Sequence, residues 1–256
     1  MKNRFIDRMH ERSKHRFSRI VLALDYINKD PEILEKKSIK IIKKIERSLV
    51  AVKINYHLLI PLDLKKVKNI VAAAHEQGLQ AIADIKLNDI SSTNLIIGDN
   101  LWQAGFDAII VNPIVGYQDG IESLIEQAHN KGKGVIFLVY MSHKGAKDGY
   151  GLTVMGEKGK QLKLHELFLE RALNWEADGV VIGSTKPDII SYSADKLKGK
   201  IPIFSPGVGF QGGSHIEAVK AGADFLIIGR TIIDADDSLG VTELIRRDVW
   251  AHHLKI

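Results

Sequence analysis

The chain has 256 residues, of which 45% are hydrophobic, 26% charged and 7% aromatic, a balance that excludes disordered and fibrous classes. It contains no cysteine, which rules out a disulfide framework, a thiol nucleophile, a thiolate metal site and an iron–sulfur cluster, and fits a cytoplasmic protein. Its 36 Lys and Arg against 31 Asp and Glu leave a net charge of +5, which suits a small anionic partner.

No membrane partner is expected. No apolar run approaches the ~18 residues that span a bilayer, and the opening MKNRFIDRMHERSKHRF lacks the apolar core of a signal peptide. Nor is a nucleic-acid partner expected. The basic stretches KKSIKIIKK (36–44) and LKKVK (64–68) alternate with apolar residues at helical spacing and read as solvated helix faces.

In chain order, residues 3–17 form a candidate helix covering one end of the fold. Strand 20–25 (IVLALD) is followed by helix 31–47, strand 49–54 (LVAVKI) by helix 63–77, and strand 80–86 (QAIADIK) by helix 92–104. Strand 107–112 (DAIIVN) leads to helix 118–130, and strand 134–140 (GVIFLVY) to a long glycine-rich loop, 141–160, and a helix over 161–176. Strands 178–183, 201–205 and 224–229 complete the series, with a helix over 213–221 before the last. The strands are short, rich in Val and Ile and apolar on both faces, as buried parallel strands are. Gly78, Gly105, Gly132 and Gly222 stand where a helix C-cap would return the chain to the sheet.

Eight such repeats fit an α/β fold, a single (β/α)8 TIM barrel over 1–256 with an extra N-terminal helix. A doubly wound open sheet is the main rival, and the repeat count favours the barrel. A parallel barrel carries its active site at the carboxyl ends of its strands. Asp25 ends strand one, Lys53 lies near the end of strand two, Asp84 and Lys86 end strand three, and Asp89 follows. Residues two apart on a strand share a face, so this pattern brings two lysines and two or three aspartates to one rim. Buried charges need partners, and an alternating Lys–Asp–Lys–Asp cluster keeps all four ionised. A Mg²⁺ site built from Asp25, Asp84 and Asp89 is the rival, and the interposed lysines repel a cation. A lysine among carboxylates keeps its proton and is a proton donor, not a Schiff-base nucleophile.

SPGVGFQGG (205–213) follows strand seven and IIGR (227–230) ends strand eight. Gly207, Gly209 and Gly212 match a dinucleotide fingerprint literally, but in the seventh repeat and without the acidic residue that should end the next strand. A barrel phosphate site is the simpler reading: glycines admit backbone amides, Arg230 supplies a fork of donors and Gln211 an uncharged one. The loop 141–160 has the length of a lid or binding segment, with Ser142 and His143 at the barrel mouth. His143 alone reads as a surface residue.

Together these segments resemble a known family. DIKLNDISSTN (84–94) is similar to the D-x-K-x-x-D-I-x-x-T-N signature of orotidine 5′-phosphate decarboxylase. LALD (22–25), VKI (52–54), MSHKGA (141–146), SPGVGFQGG and IIGR follow in the family's order and spacing, and the compact form resembles archaeal or bacterial members. Sugar-phosphate relatives (3-keto-gulonate-phosphate decarboxylase and hexulose-phosphate synthase) share the strand-three core but place an acid at the position of Lys53 and need Mg²⁺. The resemblance implies a homodimeric enzyme that decarboxylates orotidine 5′-monophosphate to UMP without cofactor or metal. It implies a charged network of Lys53, Asp84, Lys86 and Asp89, with Lys86 delivering the proton to C6 and Asp89 and Thr93 reaching the neighbouring subunit's site. Asp25 with Lys53 would hold ribose hydroxyls, Ser142 the pyrimidine, and Pro206, Gln211, Gly229 and Arg230 the phosphate side. Two departures from the family pattern, Lys144 for a common proline and VNPIVG (111–116) for an HGFPG-like segment, leave the charged network untouched.

Overall fold

The computed structural model describes residues 4–156 and 159–253. Its strands, in chain order, are β1 (Ile20–Ala23), β2 (Ala51–Asn55), β3 (Gln80–Leu87), β4 (Ala108–Val111), β5 (Gly134–Tyr140), β6 (Thr153–Met155), β7 (Gln161–Lys163), β8 (Gly179–Ile182), β9 (Ile203–Pro206) and β10 (Phe225–Ile228). Eight of them close into a barrel in the order β1-β2-β3-β4-β5-β8-β9-β10, with β1 pairing in parallel to both β2 and β10. Closure decides against the open sheet. β6 and β7 form a separate antiparallel ribbon.

The period of two along each strand sorts the apolar residues into two cores. Val21, Ala51, Ile82, Ile110, Leu138 and Ile227 point inward and fill the barrel. Their alternates, among them Leu22, Val52, Ile54, Ala81 and Ile109, pack outward beneath the helices. Both faces are therefore buried, which is why the strands read as nearly continuous apolar runs.

The N-terminal helix, Phe5–Arg16, closes the amino end of the barrel as expected. Phe5, Ile6 and Met9 join the interior core. Gly134, the first residue of β5, leaves room for this plug: a Cβ there would lie 2.5 Å from Phe5 Cδ1. Arg8 donates to Gln80 Oε1 (2.7 Å) and to the Gly132 carbonyl (3.0 Å), tying the helix to the starts of two repeats. Three aspartates brace the same end. Asp107, Asp178 and Asp224 accept the backbone N–H of Ala81, Val135 and Ile203 respectively, each at 2.9 Å.

Several boundaries differ from the periodicity. Residues 161–163 are strand, because they pair with Thr153–Met155, and the helix begins at Leu164 and ends at Asn174. The loop 141–160 thus contains a short helix, Ala146–Gly149, and half of a ribbon; its residues 157 and 158 lie outside the described residues, as does residue 3 of the first helix range. The helix expected over 118–130 is regular only from Glu122, after a π-type turn in which Asp119 takes φ 55°. Helices Pro187–Leu197 and Ser238–His253 lie outside the ranges named from periodicity. No helix among the described residues is long and apolar enough to cross a membrane.

Candidate active site

At the carboxyl end the inward-facing positions turn from apolar to charged. Val21 and Ala23 are succeeded on the same parity by Asp25, Ala51 by Lys53 and Asn55, and Ile82 by Asp84. Strand register aligns them: Ala23 lies beside Lys53, and Asn55 beside Asp84. The result is one connected set. Lys53 Nζ donates to Asp84 Oδ2 at 2.8 Å and Lys86 Nζ to Asp84 Oδ1 at 2.8 Å. Lys53 also donates to Asn55 Oδ1, and Asn55 Nδ2 donates to Asp25 Oδ1 at 2.9 Å.

Burial by itself would raise the carboxyl of Asp84. The two ammonium groups outweigh it and hold Asp84 below the ordinary carboxylate range. The Lys53 side chain is only 4% exposed, so its charge rests on Asp84 and Asn55, whereas that of Lys86 is 35% exposed and faces the cavity. Lys86 also carries backbone strain. It sits at φ 47°, in the left-handed region, where β3 shifts register against β4 between Ala83 and Leu87. A non-glycine residue there costs about 1 kcal/mol or more, a cost that tends to persist at functional sites.

This cluster forms one wall of a cavity of about 280 Å³ floored by Ile110, Leu138, Val181 and Ile227. The facing wall is the glycine loop. Gly207, Gly209 and Gly212 have φ of 98°, 71° and 88°, a sequence of left-handed turns that side-chain-bearing residues rarely adopt. Ser142 Oγ donates to Gln211 Oε1 at 2.6 Å across the mouth. Pro206, Gly229 and Arg230 complete the wall, and no N–H of Arg230 has a protein acceptor among the described residues.

Nine of the expected site residues therefore line one cavity: Asp25, Lys53, Asp84, Lys86, Ser142, Pro206, Gln211, Gly229 and Arg230. Asp89 and Thr93 do not. Asp89 is exposed beyond the end of β3, its Oδ1 accepting the N–H of Ile90 at 2.8 Å, and Thr93 is on the helix Ser91–Gln103. Within the chain the charged array is thus Lys53–Asp84–Lys86, and Asn55, which sequence reasoning passed over, links it to Asp25. The signal for Asn55 was its parity with Lys53 one step further along the strand. His143 is exposed, as expected of a surface residue, and stands at the rim of the cavity, while Phe210, which sequence reasoning did not single out, covers Arg230.

A cation fits this donor set poorly. Both Asp84 oxygens already face ammonium groups, and the described residues hold no group of three or more His, Cys, Asp or Glu placed to bind a metal.

Comparison with known proteins agrees with this geometry. A Pyrococcus abyssi protein named orotidine 5′-phosphate decarboxylase is 35% identical over 216 residues, covering 84% of this chain and 91% of that protein. The crystal structure of orotidine 5′-phosphate decarboxylase from Pyrococcus horikoshii OT3 superposes with a TM-score of 0.69 at 33% identity, covering 90% of this chain and 98% of that one. A Toxoplasma gondii structure described as a putative orotidine-monophosphate decarboxylase reaches a TM-score of 0.87 at 18% identity, covering 99% and 98%, which is a likeness of fold alone. Residues 18–245 match the family model described as orotidine 5′-phosphate decarboxylase / HUMPS, and the chain belongs to that family.

Proposed function

We propose that the chain decarboxylates orotidine 5′-monophosphate to UMP and CO₂, a step of pyrimidine nucleotide synthesis, without metal or cofactor. The observation that carries this reading is Asp84 held at 2.8 Å by both Lys53 and Lys86, across an apolar-floored cavity from the glycine loop and Arg230. Lysine at position 53 favours the decarboxylase over the Mg²⁺-dependent sugar-phosphate branch, which has an acid there.

In the reaction the bond from C6 to the carboxylate breaks, CO₂ leaves, and the electron pair remains on C6 until a proton arrives. Lys86 Nζ supplies that proton. Its charge stabilises the developing carbanion more than the ground-state carboxylate, and only such a difference lowers a barrier. Asp84 orients Lys86 and stands where the substrate carboxylate must enter, so its repulsion favours departure of CO₂. Asp25, with Lys53, holds the ribose hydroxyls, and Ser142 the pyrimidine. Pro206, Gln211, Gly229 and Arg230 take the phosphate, whose remote binding energy closes the loop over the ring.

The functional unit is a homodimer in which Asp89 and Thr93 complete the neighbouring site. Support comes from the exposed apolar residues beside them: Ile90, the residue just before the helix that carries Thr93, is 62% exposed, and Ile96 on that helix is 66% exposed. A cysteine-free chain fits a cytoplasmic location.

The deciding test is a spectrophotometric assay on orotidine 5′-monophosphate with EDTA present. Turnover unchanged by the chelator is expected. Turnover lost on chelation would overturn the metal-free reading. No turnover of this nucleotide beside metal-dependent turnover of a sugar phosphate would assign the chain to the sugar-phosphate branch, and UMP binding without CO₂ release would make it a non-catalytic nucleotide binder. For the dimer, mixing inactive Asp89→Ala and Lys86→Ala chains should restore activity in hybrids; verified hybrids that stay dead would argue for self-contained sites.

A further inference from the structure

The guanidinium carbon of Arg230 lies 3.6 Å from the centroid of the Phe210 ring, which is van der Waals contact directly over the ring. We infer that Phe210 is a positioning residue: it holds the Arg230 guanidinium by its face so that the fork of N–H donors stays free for the phosphate. This deepens the phosphate assignment above and rests on it.

The argument begins with what could hold an arginine at a cavity rim. A carboxylate would, but it would accept from the same N–H groups that a phosphate needs and would repel the phosphate as well. An aromatic face attracts the cation through its quadrupole and accepts no N–H hydrogen bond in the guanidinium plane. Here the described residues give the Arg230 guanidinium no hydrogen-bond acceptor and no acidic partner, and the Phe210 ring lies directly against it. The side chain is therefore pre-ordered yet chemically unspent.

The ring is itself fixed to the segment it serves. Phe210 N donates to Thr231 Oγ1 at 3.1 Å, and Thr231 Oγ1 donates to the Val208 carbonyl at 3.1 Å. Thr231 is the residue after Arg230, so the glycine loop and the arginine are clasped together on both sides of Gly209. Phe210 is 65% exposed, too open for its ring to be explained by burial in a core.

The test measures UMP and uridine affinity by calorimetry for Phe210→Ala, Phe210→Leu, Phe210→Trp, Arg230→Ala and the Phe210→Ala/Arg230→Ala double variant. Expected is a loss of UMP affinity of about fivefold to tenfold in the alanine and leucine variants. The tryptophan variant should bind like the parent, and uridine binding should not change. The double variant should bind UMP no more weakly than Arg230→Ala alone. Full affinity in Phe210→Leu, or additive losses in the double variant, would overturn the positioning role while leaving the phosphate assignment intact. An Arg230→Ala protein that still prefers UMP to uridine as strongly as the parent would overturn the assignment, and this inference with it.

Discussion

The two ends of the barrel are both lined with acids and bases, and they use them in opposite ways. At the amino end each aspartate is tied to backbone. Asp107 accepts from Ala81 N, and His75, Lys133 and Arg8 approach it at 2.8, 3.2 and 3.4 Å. Asp178 pairs with Val135 N and His129, and Asp224 with Ile203 N and Arg19. At the carboxyl end Asp84 accepts only from two lysine side chains, and Arg230 donates to no protein acceptor among the described residues. A carboxylate that accepts a main-chain N–H from the neighbouring repeat, as Asp107, Asp178 and Asp224 do, staples one strand to the next and is part of the scaffold. One held by side-chain ammonium groups facing a cavity has partners that can turn to a ligand.

The contrast can be broken most decisively at Lys86. Lys86→Ala should lower turnover by about 10³-fold or more, with circular dichroism and the unfolding midpoint little changed; near-normal steady-state rates would remove the proton-donor role. At the other end, Asp107→Ala should do the reverse. It strands two cationic side chains, an imidazole and a strand N–H, so urea unfolding should show a loss of about 3 kcal/mol, with the rate per folded molecule preserved. An inactive but undiminished Asp107→Ala protein would erase the distinction between the ends.

The smallest effect is a pH dependence at His129. Its hydrogen bond to Asp178 raises the imidazole above its ordinary value against the opposing effect of burial. The folded state therefore binds the proton more tightly than the unfolded chain. That stability is fully present below the unfolded value, about 6.5, and is lost as pH rises through the folded one. Thermal unfolding from pH 6 to 9 should show this decline in the parent and less of it in His129→Gln. An identical slope in both would sharpen the comparison by shifting the proton linkage elsewhere.

Most of the site was legible because its residues obey strand parity. Asp25, Lys53 and Asp84 each continue an inward-facing alternation that the apolar pattern already announces. Asn55 was missed because strand two was ended at Ile54, one residue short of its register partner for Asp84. The ribbon was missed for a different reason. Gln161–Lys163 becomes strand only by pairing with Thr153–Met155 across an intervening turn, and strand preference depends on such partners more than on local composition. The left-handed backbone at Lys86 had no sequence signal either, since nothing about a lysine favours φ 47°.

Closure of the sheet into a barrel was decided by the tertiary structure, while the sequence by itself determined the repeated strand–helix units, the strand ends at which the charges gather, and the residue types found there. These follow from periodicity and from spacing along single strands, which are local properties of the chain. Only the tertiary structure decided which partners the charges take: both lysines on Asp84, Asn55 between Lys53 and Asp25, Phe210 over Arg230, and Asp89 apart from them all. Those pairings join residues from different repeats, and distances between repeats are set by closure of the sheet and the packing beneath it.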